Sequence, residues 1–391
     1  MKNIFFRKRL LTVVVMFIVA LAFSFQVDGW AWVRSEVKIP DIPGYLTLKC
    51  DFHMHSVFSD GRVWPTLRCD EAWREGLDVF SITEHIENRY HSYDDDIKID
   101  LNRSHQVTLP GAEALGLLLI KGGEITREMP PGHFNAIFLK DVNALKKEEF
   151  KDSVKEAVSQ GAFVFWNHPG WRGQQKDGVS RWYDIHEYLY KKKHLHGVEV
   201  ANGPEYYPRV HRWALEKKLT LVGNSDAHDP LSMSHDFHKG EHRTMTLVFA
   251  KERTEAAVKE ALFARRTAVY QGDTLIGEHR YLEAIFNNSV EILNPEVTIK
   301  GRRSAYIQVR NKSDVTYELH LSGGKMEHIT VPYKITLYGD KTVLLRVRGT
   351  DRKMSGKKEI SLSYVVKNLL VAPKKSLPIT FDIKVHFSPS K

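Results

Sequence analysis

The sequence predicts an α/β protein in two parts, a sheet or barrel built from βα units followed by a small antiparallel β-sandwich. Three observations carry this. Short apolar runs alternate with amphipathic stretches over residues 46–280. From about Tyr281 the pattern changes to period-two alternation broken by turn residues. Histidines and carboxylates recur at the ends of the apolar runs. A chain of 391 residues has room for two domains, or for one large barrel with an appendage.

The N-terminal "MKNIFFRKRLLTVVVMFIVALAFSFQVDGWA" has a basic start and an apolar stretch from Leu10 to Phe25. It reads as a secretory signal over residues 1–31, cleaved after Ala31, with an uncleaved anchor as the alternative. The mature protein is therefore expected to be exported, periplasmic or secreted. Residues 32–45, with "VKIPDIPGY", read as a linker. Cys50 and Cys69 are the only cysteines. Export would allow them to pair, and two buried free thiols are the equal alternative.

Within 46–280, "YLTLKCDF", "DVFSIT", "LLLIKGGEIT", "FNAIFL", "AFVFWNH", "HGVEVAN", "LTLVGNSD" and "TMTLVFA" read as buried strands. "PTLRCDEAWREG" reads as a helix, with Pro65 in its first turn and Gly76 at its end. "EEFKDSVKEAVSQG", "YPRVHRWALEKKL" and the closing "TEAAVKEALFARRT" have the same form. This alternation argues for a parallel sheet or barrel. From residue 281 to 391, "YLEAIFNNSVEIL", "SAYIQVRN", "YELHLSGG", "HITVPY", "KITLYGDKTVLLRVRG", "KKEISLSYVVKNLLV" and "ITFDIKVHF" read as sandwich strands.

Charge divides the same way. Residues 1–280 hold 38 Lys and Arg against 38 Asp and Glu, whereas residues 281–391 hold 19 against 10. The entire net charge of +9 thus sits on the second part. Its basic residues are interspersed with acids and form no long run, which predicts a solvated surface and no stable nucleic-acid complex. Contact with an anionic surface or polysaccharide is the alternative.

"DFHMHSVFSDG" places His53 and His55 two residues apart, so on a strand both imidazoles project to one side. Asp60 follows in the loop. Later strand ends supply Glu84 and His85, then Glu124, His133, His168, Glu199 with Asn202, and finally Asp226 with His228. In a barrel these ends share one rim, where catalytic residues collect. One such histidine is weak evidence, but a whole set on one rim points to a metal centre.

"DFHMHSVFSDG", "ITEH", "GGEIT", "GHFNA", "NHPG" and "NSDAH" resemble the motifs of the PHP (polymerase and histidinol phosphatase) family, over about Leu46 to Tyr270. The resemblance implies a distorted (β/α)7 barrel, two or three divalent ions, and hydrolysis of a phosphomonoester or phosphodiester by water activated between the ions. Carried over residue by residue, it implies one ion on His53, His55, Glu124 and Asp226. A second falls on Glu124, His133 and His168, and a third on Asp60, His85 and His228. Mixed imidazole and carboxylate ligands suit zinc, manganese or iron. One departure is Glu84, where the family motif usually reads Thr-Asp-His.

Glu124 and Asp226 are thereby the expected catalytic carboxylates. Arg127, three residues past Glu124, is a candidate for binding substrate phosphate, with a surface salt bridge as the equal alternative, and Arg172 and Arg243 are comparable candidates. Asn167 and Asn202 are candidates to orient ligands, or are turn residues chosen for their backbone preferences. Trp171 is expected to pack, with stacking on a substrate as the alternative. His235, His238 and His242 are expected in a solvated loop, with protonation of the leaving group as the alternative. The expected substrate is a small phosphorylated molecule: a nucleotide, short oligonucleotide or sugar phosphate. Two other readings compete: an amidohydrolase-like enzyme cleaving a C–N or carboxylic ester bond, and a non-enzymatic metal-containing binding protein. The first would want a metal-bridging lysine at a strand end, and no lysine stands there.

Overall fold

The computed structural model describes residues 33–87, 100–324 and 326–390; the expected signal segment over residues 1–31 lies outside them. The first part opens with β1 (Leu46–Asp51), α1 (Pro65–Arg74) and β2 (Val79–Phe80). α1 starts on Pro65, buries Arg68, Cys69 and Ala72, and stops before Gly76, whose φ of 81° suits a residue without a Cβ. Next come α2 (Arg103–Ala114), β3 (Leu118–Leu119), β4 (Gly122–Ile125) and β5 (Phe134–Ile137). The rest of the barrel is α3 (Phe150–Ser159), β6 (Phe163–Trp166), α4 (Asp184–Lys191), β7 (Gly197–Asn202), β8 (Glu205–Tyr206), α5 (Pro208–Lys217) and β9 (Thr220–Asn224).

Two parallel arcs, β1–β2–β3 and β6–β7–β9, form most of the wall. Between them β4, β5 and β6 pair antiparallel. Only residues 126–133 connect β4 to β5, too few for a helical crossover, so the chain returns antiparallel. Two isolated parallel bridges, Met54 to Ala227 and His85 to Glu124, join the arcs into a distorted barrel, seven-stranded when β3 and β4 count as one. Both seams carry or adjoin the residues singled out above. The single run "LLLIKGGEIT" is split, β3 pairing with β2 and β4 with β5.

Outside the ring, β10 (Met245–Ala250) lies antiparallel on β1. α6 (Glu255–Phe263), capped by Thr254 Oγ1 on the Ala257 amide, leads to the hairpin β11 (Thr267–Gln271) and β12 (Thr274–Gly277). α7 (His279–Ser289) follows. Here the structure corrects the reading of "YLEAIFNNSVEIL" as a strand. Tyr281, Leu282, Ile285, Phe286 and Ser289 are the buried positions, and that spacing is helical. α2 and α4 also went unread. Pro110 and Gly111 inside α2 are breakers by local rule, yet the helix continues because α2 packs against α1.

The second part contains β13 (Val290–Ile292), β14 (Glu296–Lys300), β15 (Ser304–Asn311), β16 (Tyr317–Leu321), β17 (Ile329–Thr330), β18 (Lys334–Leu337), β19 (Thr342–Gly349), β20 (Gly356–Ala372) and β21 (Lys375–Ser388). β13–β15–β19–β17 form one antiparallel sheet. It faces β14, β21, β20, β16 and β18. Along β21, buried and exposed residues alternate, as a half-buried strand requires. β20 also pairs in parallel with β12, through Leu275–Leu369 and Ile276–Leu370. The sandwich sheet therefore runs on into the barrel's outer layer, and one apolar cluster holds Met54, Phe80 and Leu247 with Val347, Tyr364 and Phe381. Cys50 and Cys69 are free, buried thiols rather than a disulfide, and burial pushes the Cys69 thiol up to about 12.

Candidate metal centre

The end of β1 delivers the first pair of imidazoles. His53 and His55 are fully buried, and their Nε2 atoms lie 3.1 and 3.2 Å from Asp226 Oδ1 and 3.4 and 3.3 Å from Glu124 Oε2. The chain then turns back through Gly61. A Cβ there would meet the His55 carbonyl oxygen at 2.6 Å, so only glycine allows the turn that brings Asp60 inward. Asp60 faces His85 Nε2 at 3.3 Å and His228 Nε2 at 3.2 Å. Glu124, fully buried on β4, meets His133 Nδ1 at 2.9 Å and His85 Nδ1 at 3.0 Å. His168 Nε2 stands 3.8 Å from both Glu124 and Asp226. Two of these residues, His168 (φ 27°) and Asp226 (φ 54°), hold positive φ, a conformation that side chains other than glycine resist.

All nine expected ligands thus converge. Four groups have ligand atoms within 4.8 Å of one another: His55, Asp60, His85 and His228; His53, His55 and Glu124; His53, His168 and Asp226; His85, Glu124 and His133. The partition differs in detail from the expectation. His168 groups with His53 and Asp226, and His85 belongs to two groups because its two ring nitrogens face different carboxylates.

Electrostatics bind the cluster. Burial alone would raise the Glu124 and Asp226 carboxyls, but the surrounding imidazoles hold both well below the usual range. Conversely, burial disfavours charge on His53, His85 and His228, and their carboxylate neighbours outweigh it and raise all three. His55, buried between His85 and His228, is pushed down to about 3.

The donor set fits divalent metal ions. His53 Nε2, His55 Nε2, Asp60 Oδ1, Glu124 Oε2, His133 Nδ1 and Asp226 Oδ1 are buried, belong to this cluster, and lack a hydrogen-bond partner among the described residues. Buried polar atoms are ordinarily satisfied. Six such orphans aimed at one another could hold metal ions, and their mixed imidazole and carboxylate donors are chemically suited to divalent ones.

A second layer holds these side chains. Glu199 Oε1 accepts from His53 Nδ1 at 2.8 Å, which leaves Nε2 facing the cluster. Asn224 and Asn202 donate to Glu199, Asn202 also to Asp226 at 3.3 Å, and Asn167 to Glu124 at 3.0 Å. Glu84 is buried and accepts from both hydroxyls of Ser56 and Ser59 and from the Ser56 amide. The unusual Glu in "TEH" therefore clamps the loop that carries Asp60, and His85 keeps its place. Arg68 went unread. Its fully buried guanidinium donates to the carbonyls of His55, Ala227 and Asp229 at 2.8–2.9 Å and pairs with Glu71. It ties the "HMH" and "SDAH" loops together, and no spacing signals it, because its partners are backbone atoms 13 to 161 residues away.

Arg127 lies beside the site, not in it. Its guanidinium pairs with Glu87 and donates to the carbonyls of Thr126, Lys147 and Glu148. Arg243 is buried against Asp51 and Glu75, and Arg172 is exposed, between the cleft-lining Trp171 and Gly173. His235 and His242 line a different hollow, beside Gly203 and Gln271, and the His238 side chain is outside the described residues. The cleft over the metal centre, of about 370 Å3, is walled by Thr126, Glu128, Trp171 and Gln174 beside the ligands.

Among known proteins, an Ig-like domain family model matches residues 290–382. A crystal structure of a two-domain protein from Bacteroides vulgatus, containing a predicted PHP-like metal-dependent phosphoesterase, matches with a TM-score of 0.84. The two sequences are 46% identical, over 90% of this chain and 100% of that one. A structure assigned as a metal-dependent phosphoesterase from Bifidobacterium adolescentis is 18% identical, with a TM-score of 0.36 over 46% of this chain and 87% of that one. An amidohydrolase from Chromobacterium violaceum with bound sulfate is 15% identical, with a TM-score of 0.35 over 46% of this chain and 88% of that one. No curated protein matches the sequence.

Proposed function

Because the chain belongs to the family of two-domain proteins with a PHP-like metal-dependent phosphoesterase domain, we propose that it is an exported phosphoesterase that hydrolyses a small phosphomonoester or phosphodiester. One observation carries this reading: six buried, unpartnered imidazole and carboxylate atoms converge at the floor of an open cleft. His53, His55, Glu124 and Asp226 would hold one ion, Glu124 and His133 with His85 or His168 a second, and Asp60, His85 and His228 a third. When bound, such ions supply Lewis acidity toward phosphoryl oxygens and lower the pKa of coordinated water.

The chain's own residues do the rest. Glu199 holds the proton of His53 on Nδ1, and the Asp226 carbonyl does so for His228 Nδ1 at 2.8 Å, so both Nε2 lone pairs face inward. Asn167 and Asn202 set the carboxylate planes of Glu124 and Asp226. Fixing donors before substrate arrives avoids reorganisation during the reaction, which is the main advantage of a preorganised site. Water adds to phosphorus as the bond to the alcohol oxygen breaks, and the alcohol leaves with a proton. Export rests on the basic and apolar N-terminal segment. No helix among the described residues is long and apolar enough to cross a membrane. The basic sandwich is a solvated cap on the barrel.

Elemental analysis of purified protein, with turnover of generic phosphomonoesters and phosphodiesters, tests the reading. Two or three ions per chain are expected. Glu124→Gln is expected to release ions from two sites and to lower turnover by about a hundredfold or more, the scale of losing a transition-state contact. Less than one ion per chain after manganese or zinc loading would overturn it.

A further inference from the structure

Beyond the ligands, the cleft wall has a distinct chemistry. Trp171 is 44% exposed and stands over the metal centre, its ring 5.3 Å from that of His168 and 5.9 Å from that of His133. It is a built feature rather than a loose surface side chain. The Trp171 amide donates to the His168 carbonyl, and its own carbonyl accepts from the Gln174 and Gln175 amides. Gly173 packs against it: a Cβ there would meet the indole at 2.5 Å and push the ring aside.

Gln174 lies on the same wall. Its Nε2 donates to the Arg127 carbonyl at 2.8 Å, which fixes the direction of the amide, and its buried Oε1 has no partner among the described residues. The Glu128 carboxylate is a second acceptor on that wall. An aromatic face beside two hydrogen-bond acceptors is complementary to a ring that offers C–H groups on one side and hydroxyl donors at its edge.

We propose that this wall selects phosphoesters whose alcohol half is a hydroxylated ring of the sugar type, stacked on Trp171 and donating a hydroxyl to Gln174 Oε1. The proposal rests on the phosphoesterase reading above. Reach favours a sugar over a nucleobase. Trp171 is one side chain away from the metal ligands. A sugar ring is joined to its phosphate directly or through one methylene, whereas the base of a 5′-nucleotide is separated from phosphorus by the whole ribose.

The test is calorimetric titration of the metal-loaded full chain with the non-hydrolysable methylene phosphonate analogue of glucose 6-phosphate. Inorganic phosphate, glycerol phosphonate and adenosine 5′-monophosphonate serve as comparisons. Trp171→Ala is expected to weaken the sugar phosphonate about tenfold while inorganic phosphate and ion content stay unchanged. Trp171→Phe, which keeps a ring, is expected to restore most of the loss. Gln174→Ala is expected to weaken it by about five- to tenfold. Equal affinity in wild type and Trp171→Ala would overturn the proposal, and so would tighter binding of the nucleotide analogue. Failure of wild type to turn over any phosphoester would sink the hydrolase reading alone, because the titration requires no turnover.

Discussion

Arg68 shows how much of the centre depends on a residue that touches no ligand side chain. It is the only described side chain that donates to the carbonyls of both His55, itself one of the clustered imidazoles, and Ala227, which lies between Asp226 and His228. Replacing it with a neutral side chain leaves several buried carbonyls and Glu71 without their donor. Arg68→Leu is therefore expected to destabilise the protein by on the order of 3 kcal/mol. Urea denaturation of wild type and variant checks this, and a difference within 0.5 kcal/mol, the usual scatter of surface substitutions, would show the tie to be dispensable. Glu199 acts at the same scale through the proton on His53 Nδ1. The sequence places it at a strand end, but only the 2.8 Å contact separates it from the ligands themselves.

At the scale of elements, the loop from Ser56 to Gly61 carries Asp60 and is closed from behind by Glu84. Burial raises the Glu84 carboxyl, and the Ser56 and Ser59 donors oppose that shift. Removing the carboxylate frees two hydroxyls and loosens the loop, while His53 and Asp226 stay anchored just after β1 and β9. Glu84→Ala is thus expected to weaken one ion about tenfold or more, in the range of losses for supporting partners, and to spare the others. Ion retention after graded chelator dialysis reads this directly. Uniform retention at every site would remove the loop from the account.

Residues 35–391 form one compact unit. The expected boundary between residues 280 and 281 falls inside α7, whose Leu282, Ile285 and Phe286 are buried in the shared apolar cluster. β12 also lies against β20. Barrel and sandwich are accordingly expected to melt in a single calorimetric transition, because neither can be opened without exposing that cluster. A fragment spanning residues 33–280 is expected to lack a cooperative transition. Two separated peaks in the intact chain, or a sharply melting fragment, would contradict this.

The alternation of apolar runs, the period-two texture of most of the second part and the nine clustered ligand types were legible because each follows from a local rule. Strand ends bring i and i+2 side chains to one face, and a barrel brings successive strand ends to one rim. Other features were not legible, among them the antiparallel return at β5, the helices α2 and α4, the helix over His279–Ser289, and the tie through Arg68. Each is settled by partners distant in sequence. An apolar segment becomes helix or strand according to the surface it must cover. An arginine turns to whichever carboxylates and carbonyls the closed barrel places beside it. Sequence by itself determined the chemistry of the centre, since ligand type is a property of each residue. Tertiary structure alone decided which atoms of those ligands share a site and which side chains hold them there, because those are distances that exist only once the ring of strands has closed.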